Sequence, residues 1–312
     1  MVNKPRALRQ GDRIGIVAPS GPIEDAALQV GVAALEERGY AVEIGPHVLD
    51  RHPDYDYLAG TDPGRLADLQ WALDRTDLAG IFCARGGYGA MRIVESIHWP
   101  EQRDRARLFL GYSDITTLHL AFARFARQVT HYGVMPPKLT DLSEPALDHW
   151  WRIVEDPAYR PVLPLDGEHA ETVTGGVAEG RLAGGCLTLL AHACGTAYRP
   201  RWRGCIVVLE DVSEAIYGVD RSMAQLKACG LLSEAAGFVV GTVTAWRRAE
   251  QTDSSNQLEH VWRDYLADLG VPVITGFPCG HEPNALTLPL GAVARLDADA
   301  GTLTLTESAV GA

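Results

Sequence analysis

The first half of the chain alternates short β-rich runs with stretches of helical periodicity, and this alternation restricts the fold more than any other feature. Residues 13–18 read as a strand closed by the turn signal Pro19-Ser20-Gly21. Residues 24–38 place Ala27, Val30 and Ala34 at helical spacing, and Gly39 stops them. Residues 41–44 give a second strand, and Asp62 is positioned to cap a helix that runs to about residue 73. Strands at 79–83, 107–110 and 129–132 alternate with helices at 90–97 and 115–127. A βαβα rhythm of this kind predicts a mostly parallel sheet covered on both faces, with ligands bound beyond the carboxyl ends of its strands.

The pattern changes near residue 156. Pro157, Pro161, Pro164 and Gly167 precede a polar stretch, so 161–176 reads as a linker between an N-terminal domain, 1–160, and a C-terminal domain, 177–312. The second domain reads as α+β. Helices are expected at 187–194, 221–229 and 258–269, strands at 205–209 and 238–243, and short strands at 286–288, 292–296 and 303–305.

Composition removes several classes of function. Lys and Arg number 28 against 40 Asp and Glu, a net charge of −12, which argues against a nucleic-acid partner because phosphate binding needs clustered cations. No stretch approaches the roughly 18 apolar residues of a membrane span, and the run at 14–18 is too short for a signal peptide. A soluble, cytoplasmic protein is expected. The six cysteines include no C-x-x-C pair, so neither a zinc site nor a redox pair is indicated by spacing.

Four segments carry chemistry. In Gly111-Tyr112-Ser113-Asp114 a strand enters a tight turn before a helix, so Ser113 stands at the strand's carboxyl end and the helix's positive end. The backbone N–H of Asp114 falls where an oxyanion donor is needed. The competing reading of Ser113 is a plain helix cap. Arg85-Gly86-Gly87-Tyr88-Gly89 follows the 79–83 strand, and an N–H of Gly86 or Gly87 could complete an oxyanion hole. The spacing fits neither G-x-G-x-x-G nor a P-loop, and a turn is the simpler alternative. Glu210-Asp211 follows an apolar strand, so Glu210 could orient a histidine; the competing reading of the segment alone is a helix-capping or surface acid pair. His281 lies in the Gly/Pro-rich loop Gly276-Phe277-Pro278-Cys279-Gly280-His281-Glu282-Pro283. His119 and His192 fall inside helical patterns and read as packed or half-exposed residues. Together these segments supply a nucleophile, a base, an acid and oxyanion donors, the parts of a Ser–His–Glu hydrolase.

These segments, with Val17-Ala18-Pro19-Ser20-Gly21, Gly184-Gly185, Asp220-Arg221 and Thr287-Leu288-Pro289-Leu290-Gly291, resemble the LD-carboxypeptidase (muramoyltetrapeptide carboxypeptidase) family over nearly the whole chain. The resemblance implies an α/β fold. Its N-terminal parallel-sheet domain would be like class I glutamine amidotransferases, and its smaller C-terminal domain a swivelling β/β/α unit. It implies Ser113 as nucleophile, His281 as base, Glu210 as acid, and N–H groups of Asp114 and of Gly86 or Gly87 as the oxyanion hole. It also implies a homodimer, no cofactor or metal, and a small peptide substrate, the murein tetrapeptide, that loses its terminal D-Ala in cytoplasmic peptidoglycan recycling. Arg85, with Tyr88 beside it, is the candidate for gripping the substrate. Two departures from the family pattern, Cys186 in place of Asn and Ile216-Tyr217-Gly218 in place of Pro-aromatic-Arg, bear on the substrate pocket or the dimer contact. Two rival functions remain: hydrolysis of a peptidyl or aminoacyl adenylate, as in microcin C immunity, and a non-catalytic ligand-binding module. The absence of Trp between 156 and 176 weighs against an adenine site in that stretch.

Overall fold

The computed structural model describes residues 2–99, 106–166, 170–244 and 255–312. The chain divides into two compact units: residues 1–159 with 286–291 and 308–312, and residues 160–285 with 292–307.

In the first unit the strands β1 (Arg13–Val17), β2 (Ala41–Ile44), β3 (Leu78–Cys83), β4 (Leu108–Gly111) and β5 (Thr130–Tyr132) alternate with helices α1 (Asp25–Glu37), α2 (Asp62–Asp74), α3 (Ala90–Ile93) and α4 (Thr116–Ala121); α5 (Glu144–Glu155) follows. Every residue of β3 and β4 is buried, as expected for parallel strands covered on both faces. The spatial order is β12-β5-β4-β3-β1-β2, where β12 (Leu288–Leu290) returns from far along the chain and pairs antiparallel with β5. All the other pairs are parallel. Local details differ from the sequence reading. The cap of α2 is Thr61, whose hydroxyl accepts from the Gly64 N–H at 3.3 Å, and Asp62 is the first helical residue. The helix expected over 90–97 tightens to a 3₁₀ turn after Ile93. The helix expected over 115–127 widens to a π turn over Phe122–Ala126 and stops at Arg127, φ +51°. Helix α5, bounded by Ser143 and carrying Pro145 in its first turn, has no counterpart in the sequence reading.

The second unit contains β6 (Val162–Pro164), β7 (Glu171–Thr174), β8 (Val177–Cys186), β9 (Cys205–Val212), β10 (Gly237–Thr244), β11 (Val273–Thr275), β13 (Val293–Asp297) and β14 (Thr302–Leu305). They form one sheet of order β6-β14-β13-β8-β9-β10-β11-β7. Its centre, β8 to β11, is parallel and is connected through α6 (Leu187–His192), α7 (Ile216–Ala228) and α8 (Ser255–Leu266). The expected α+β unit therefore has a βαβ core with antiparallel flanks. The parallel centre was hidden because glycines break the alternation of β8. Residues 161–176, expected as a linker, supply both edge strands; 167–169 of that stretch lie outside the described residues. Edge positions tolerate proline, so Pro161 and Pro164 are compatible with a strand there. Residues 286–291 and 308–312, expected in the second domain, belong to the first unit. Leu288 and Val310 are both fully buried there. β12 covers the otherwise open edge of β5. Among the described residues, no helix is long and apolar enough to cross a membrane.

Candidate active site

β3 and β4 are neighbouring parallel strands, with Phe82 opposite Leu110, so the loops leaving their carboxyl ends emerge side by side. The loop after β3 carries Arg85 to Gly89, and the turn after β4 carries Ser113. Ser113 is one of three described non-glycine residues at positive φ, +65°. Such a backbone costs about 1–3 kcal/mol and persists only where its surroundings enforce it.

Several contacts enforce it. The Ser113 N–H donates to the Tyr132 hydroxyl at 3.1 Å. His119 braces the end of β4: Nε2 lies 2.9 Å from the Gly111 carbonyl and Nδ1 2.8 Å from the Thr130 hydroxyl. A carbonyl only accepts, so Nε2 carries the proton. Burial lowers the His119 pKa to about 4, which keeps the ring neutral. Asp114 is almost fully buried, and its Oδ2 accepts from the Ser20 hydroxyl at 2.6 Å and from the Ala90 N–H at 2.8 Å. The carboxylate thus ties the serine turn to both the β1 turn and the end of the glycine loop. Burial pushes its pKa up. Arg65, fully buried, donates to the Pro19 carbonyl at 2.5 Å and pairs with Asp62 beneath Gly89. The braces from Asp114 to Ser20 and Ala90, from Tyr132 to Ser113 and from Arg65 to Pro19 were not legible as a motif, because each joins residues far apart in sequence.

Gly86 lies directly against the serine. A Cβ built there would stand 2.8 Å from Ser113 Cβ and 3.1 Å from its Oγ. Gly87 and Gly89 adopt φ of +98° and +140°, and the Gly86 carbonyl accepts from the Gly21 N–H at 2.8 Å. Arg85 is exposed and donates to the Pro22 carbonyl at 2.5 Å; Tyr88 is exposed beside it.

Glu210 and His281 meet in the second unit. Leu209, Val240 and Thr275 are in register across β9, β10 and β11, so Glu210, the next residue of β9, lies toward the end of the sheet from which the loop after β11 departs. That loop folds back over β10, where Phe277 N–H donates to the Val240 carbonyl at 3.0 Å. Gly241 permits the fold-back, since a Cβ there would stand 2.6 Å from Cys279 Sγ. Gly280, at φ +100°, lies against Glu210 in the same manner. His281 Nδ1 consequently reaches Glu210 Oε2 at 2.7 Å. The Glu210 side chain is fully buried and the His281 side chain 15% exposed, so the acid is shielded while the imidazole keeps an open edge. Glu210 is part of β9 and not a residue where the strand surfaces, as the sequence suggested, because β9 continues to Val212.

The adjacent Asp211 has another task. Its Oδ2 accepts from the Thr188 N–H at 2.9 Å and hydroxyl at 2.8 Å, and its Oδ1 accepts from the Val212 N–H at 2.8 Å and the Cys186 thiol at 3.4 Å. Cys186 thus helps hold this carboxylate at the start of α6. Gly218 leaves room for the Glu214 carboxylate over the first turn of α7. Glu282, beside His281, is half-buried, and burial raises its carboxyl to about 7.

The sequence pattern of the LD-carboxypeptidase N-terminal domain matches residues 14–133, and that of the LD-carboxypeptidase C-terminal domain matches residues 179–296. A Streptomyces coelicolor protein, itself assigned to the carboxypeptidases by inference, is 40% identical over 98% of this chain and 97% of its own. The murein tetrapeptide carboxypeptidase of Pseudomonas aeruginosa is 33% identical over 91% and 93%. Among solved structures, the muramoyltetrapeptide carboxypeptidase of Oxalobacter formigenes superposes with a TM-score of 0.78 at 28% identity, covering 94% of this chain and 97% of its own. The microcin C7 self-immunity protein superposes at 0.85 with 22% identity, covering 99% and 100%, a likeness of fold. Two matched domains and relatives that span nearly the full length establish that this chain belongs to the LD-carboxypeptidase family, serine-type hydrolases of the carboxypeptidase class.

Proposed function

We propose that the protein removes the terminal D-Ala from murein tetrapeptides by hydrolysing the L,D bond, with Ser113 as nucleophile, His281 as general base and Glu210 as the acid that orients it. The observation that supports this most is the buried Glu210 carboxylate hydrogen-bonded at 2.7 Å to Nδ1 of a histidine whose ring remains partly open. With Nδ1–H given to Glu210, Nε2 is the nitrogen left to take the Ser113 proton as Oγ attacks the carbonyl. The N–H groups of Asp114 and of Gly86 or Gly87 receive the oxyanion, a role that the packing of Gly86 against the serine side chain supports. His281 then returns the proton to the departing D-Ala amine, and water hydrolyses the acyl-enzyme by the reverse exchange. Exposed Arg85 is the proposed partner of the substrate's terminal carboxylate. The reading carries with it a homodimer working in cytoplasmic peptidoglycan recycling, checked by light scattering and by cell fractionation.

Ser113→Ala should abolish D-Ala release while the melting curve is retained, and fluorophosphonate labelling of Ser113 should be lost in His281→Ala. If the three residues act as one unit, the double variant Ser113→Ala/His281→Ala is hardly slower than either single variant. Independent, multiplying losses would disprove the triad. The second reading, cleavage of a peptidyl or aminoacyl adenylate, draws on the fold shared with the microcin C7 self-immunity protein. Competing an adenylate against a tetrapeptide in one reaction decides between them.

A further inference from the structure

Residues 45–61 join β2 to α2 without regular structure, an unusually long connection inside a compact unit and of the kind that carries function. It is firmly held. Leu58 is fully buried, the Ala59 N–H donates to the Ser20 carbonyl at 2.9 Å, and Arg51 donates to the Ile23 carbonyl at 2.7 Å. Yet the loop turns its aromatic rings outward. Tyr55 is 42% exposed and Tyr57 47%, and Tyr88, from the glycine loop, is 43% exposed. The three form one row: Tyr55 stacks on Tyr57 at 5.4 Å between centroids, and Tyr57 meets Tyr88 at 5.9 Å. His52 continues the row at 4.8 Å from Tyr55, and the Arg92 guanidinium lies 6.0 Å from the Tyr55 ring. The row begins beside the nucleophile loop: the Tyr57 and Gly86 carbonyls both border the space where a Gly21 side chain would stand, and Gly86 packs on Ser113.

We propose that this ladder is a subsite for a sugar ring carried on the amino-terminal end of the peptide substrate. The inference rests on the proposed function and names where the non-reacting end of its substrate docks. A pyranose presents an apolar face of C–H groups and a rim of hydroxyls. Exposed tyrosine faces with an arginine and a histidine alongside offer the matching pattern. Successive rings touch one another, which leaves no slot for a planar base to enter between them; only their outer faces are open. The three residues that separate a scissile bond from the sugar span about 10 Å when extended, the reach of a short row that starts at the nucleophile loop. A preformed platform costs little ordering on binding, and energy gained there can be used at the reacting bond.

The test compares kcat/KM for a muramoyl-tetrapeptide and for the free tetrapeptide. Wild type should favour the sugar-bearing substrate about tenfold, chiefly through KM. Tyr57→Ala and Tyr55→Ala should collapse that ratio toward one, and Tyr57→Phe, which keeps the ring, should preserve it. A wild-type ratio near one, or alanine variants that slow both substrates equally, overturns the inference. Calorimetric titration with a muramoyl dipeptide, the bare dipeptide and adenosine monophosphate reads the ladder even if neither tetrapeptide is cut. Tighter binding of the muramoyl dipeptide that is lost in Tyr57→Ala supports the subsite. Ring-dependent preference for the nucleotide, or no preference at all, overturns it. Failure to cleave either tetrapeptide overturns the proposed function instead.

Discussion

Gly280→Ala tests how the acid and the base are held together. Two separate costs arise at this position. A side chain at φ +100° is strained by about 1–2 kcal/mol. The added methyl would also stand 2.8 Å from Glu210 Cγ and 2.9 Å from its Cβ, and the fully buried glutamate has no solvent to swing into. Overpacking of this kind costs roughly 1–3 kcal/mol. The overlap can be relieved by lifting the 276–281 loop from Gly241 or by tilting Glu210, and both lengthen the 2.7 Å bond to His281. A displacement of about 1 Å lowers turnover roughly 10²-fold, and full loss of the acid about 10⁴-fold in a well-studied triad. The expected fall in kcat therefore lies between these limits. Gly270→Ala is the control: Gly270 is at φ +70° with nothing within 4 Å, so it bears the strain without the overlap and should leave kcat near wild type. The assay is D-Ala release, with melting temperature and the low-field NMR signal of the His281 Nδ1–H as companions. A Gly280→Ala enzyme within about fivefold of wild-type kcat would refute the reasoning.

Gly86→Ala should slow turnover by about 10²-fold and lower stability by roughly 1–3 kcal/mol, because its methyl would stand 2.8 Å from Ser113 Cβ; steady-state kinetics and a thermal melt check this. Asp211→Asn should cost about 2–3 kcal/mol in urea unfolding, since either amide orientation sets an NH₂ against an N–H donor that the carboxylate now receives. Stability should fall on acidification from pH 6.5. Burial depresses His119 to about 4 and His131 to about 3, so between pH 6.5 and 4 these rings bind protons only when unfolded, and the contribution present above 6.5 is lost as pH drops. At pH 5 the pair should remove about 4 kcal/mol, offset in part by Glu282, whose carboxyl burial raises to about 7, and by Asp114 and Asp211, whose raised pKa values have the same opposing sign. Melts at pH 7.5 and 5 of wild type and of His131→Phe measure it: the variant should lose less stability on acidification, and an equal loss in both would contradict the burial of this ring as a neutral group.

Local chemistry made part of this protein readable. The parallel sheet of the first unit followed from period and punctuation, because β1, β2, β4 and α1 each end at or close to a Gly or Pro. The turn at Ser113 and the glycines after β3 were visible for the same reason: a strand end, a tight bend and a helix start are written within a few adjacent residues. His281 and Glu210 were visible as residue types in suitable places and were expected to act together as base and acid, but the contacts that bring them within 2.7 Å were not legible.

What the sequence could not express is pairing over distance. No local pattern says that residues 288–290 return to β5, or that 162–164 and 171–174 are edge strands and not a linker, since hydrogen bonds to remote strands decide both. The braces of the serine turn, Asp114 to Ser20 and Ala90, and Tyr132 to the Ser113 N–H, join separate elements and exist only once the sheet has aligned them. The Glu210–His281 bond likewise depends on Gly241 and Gly280, whose missing side chains leave the space through which one loop folds over a strand. Residue identity determined which chemistry was available; close packing in three dimensions determined which groups touch.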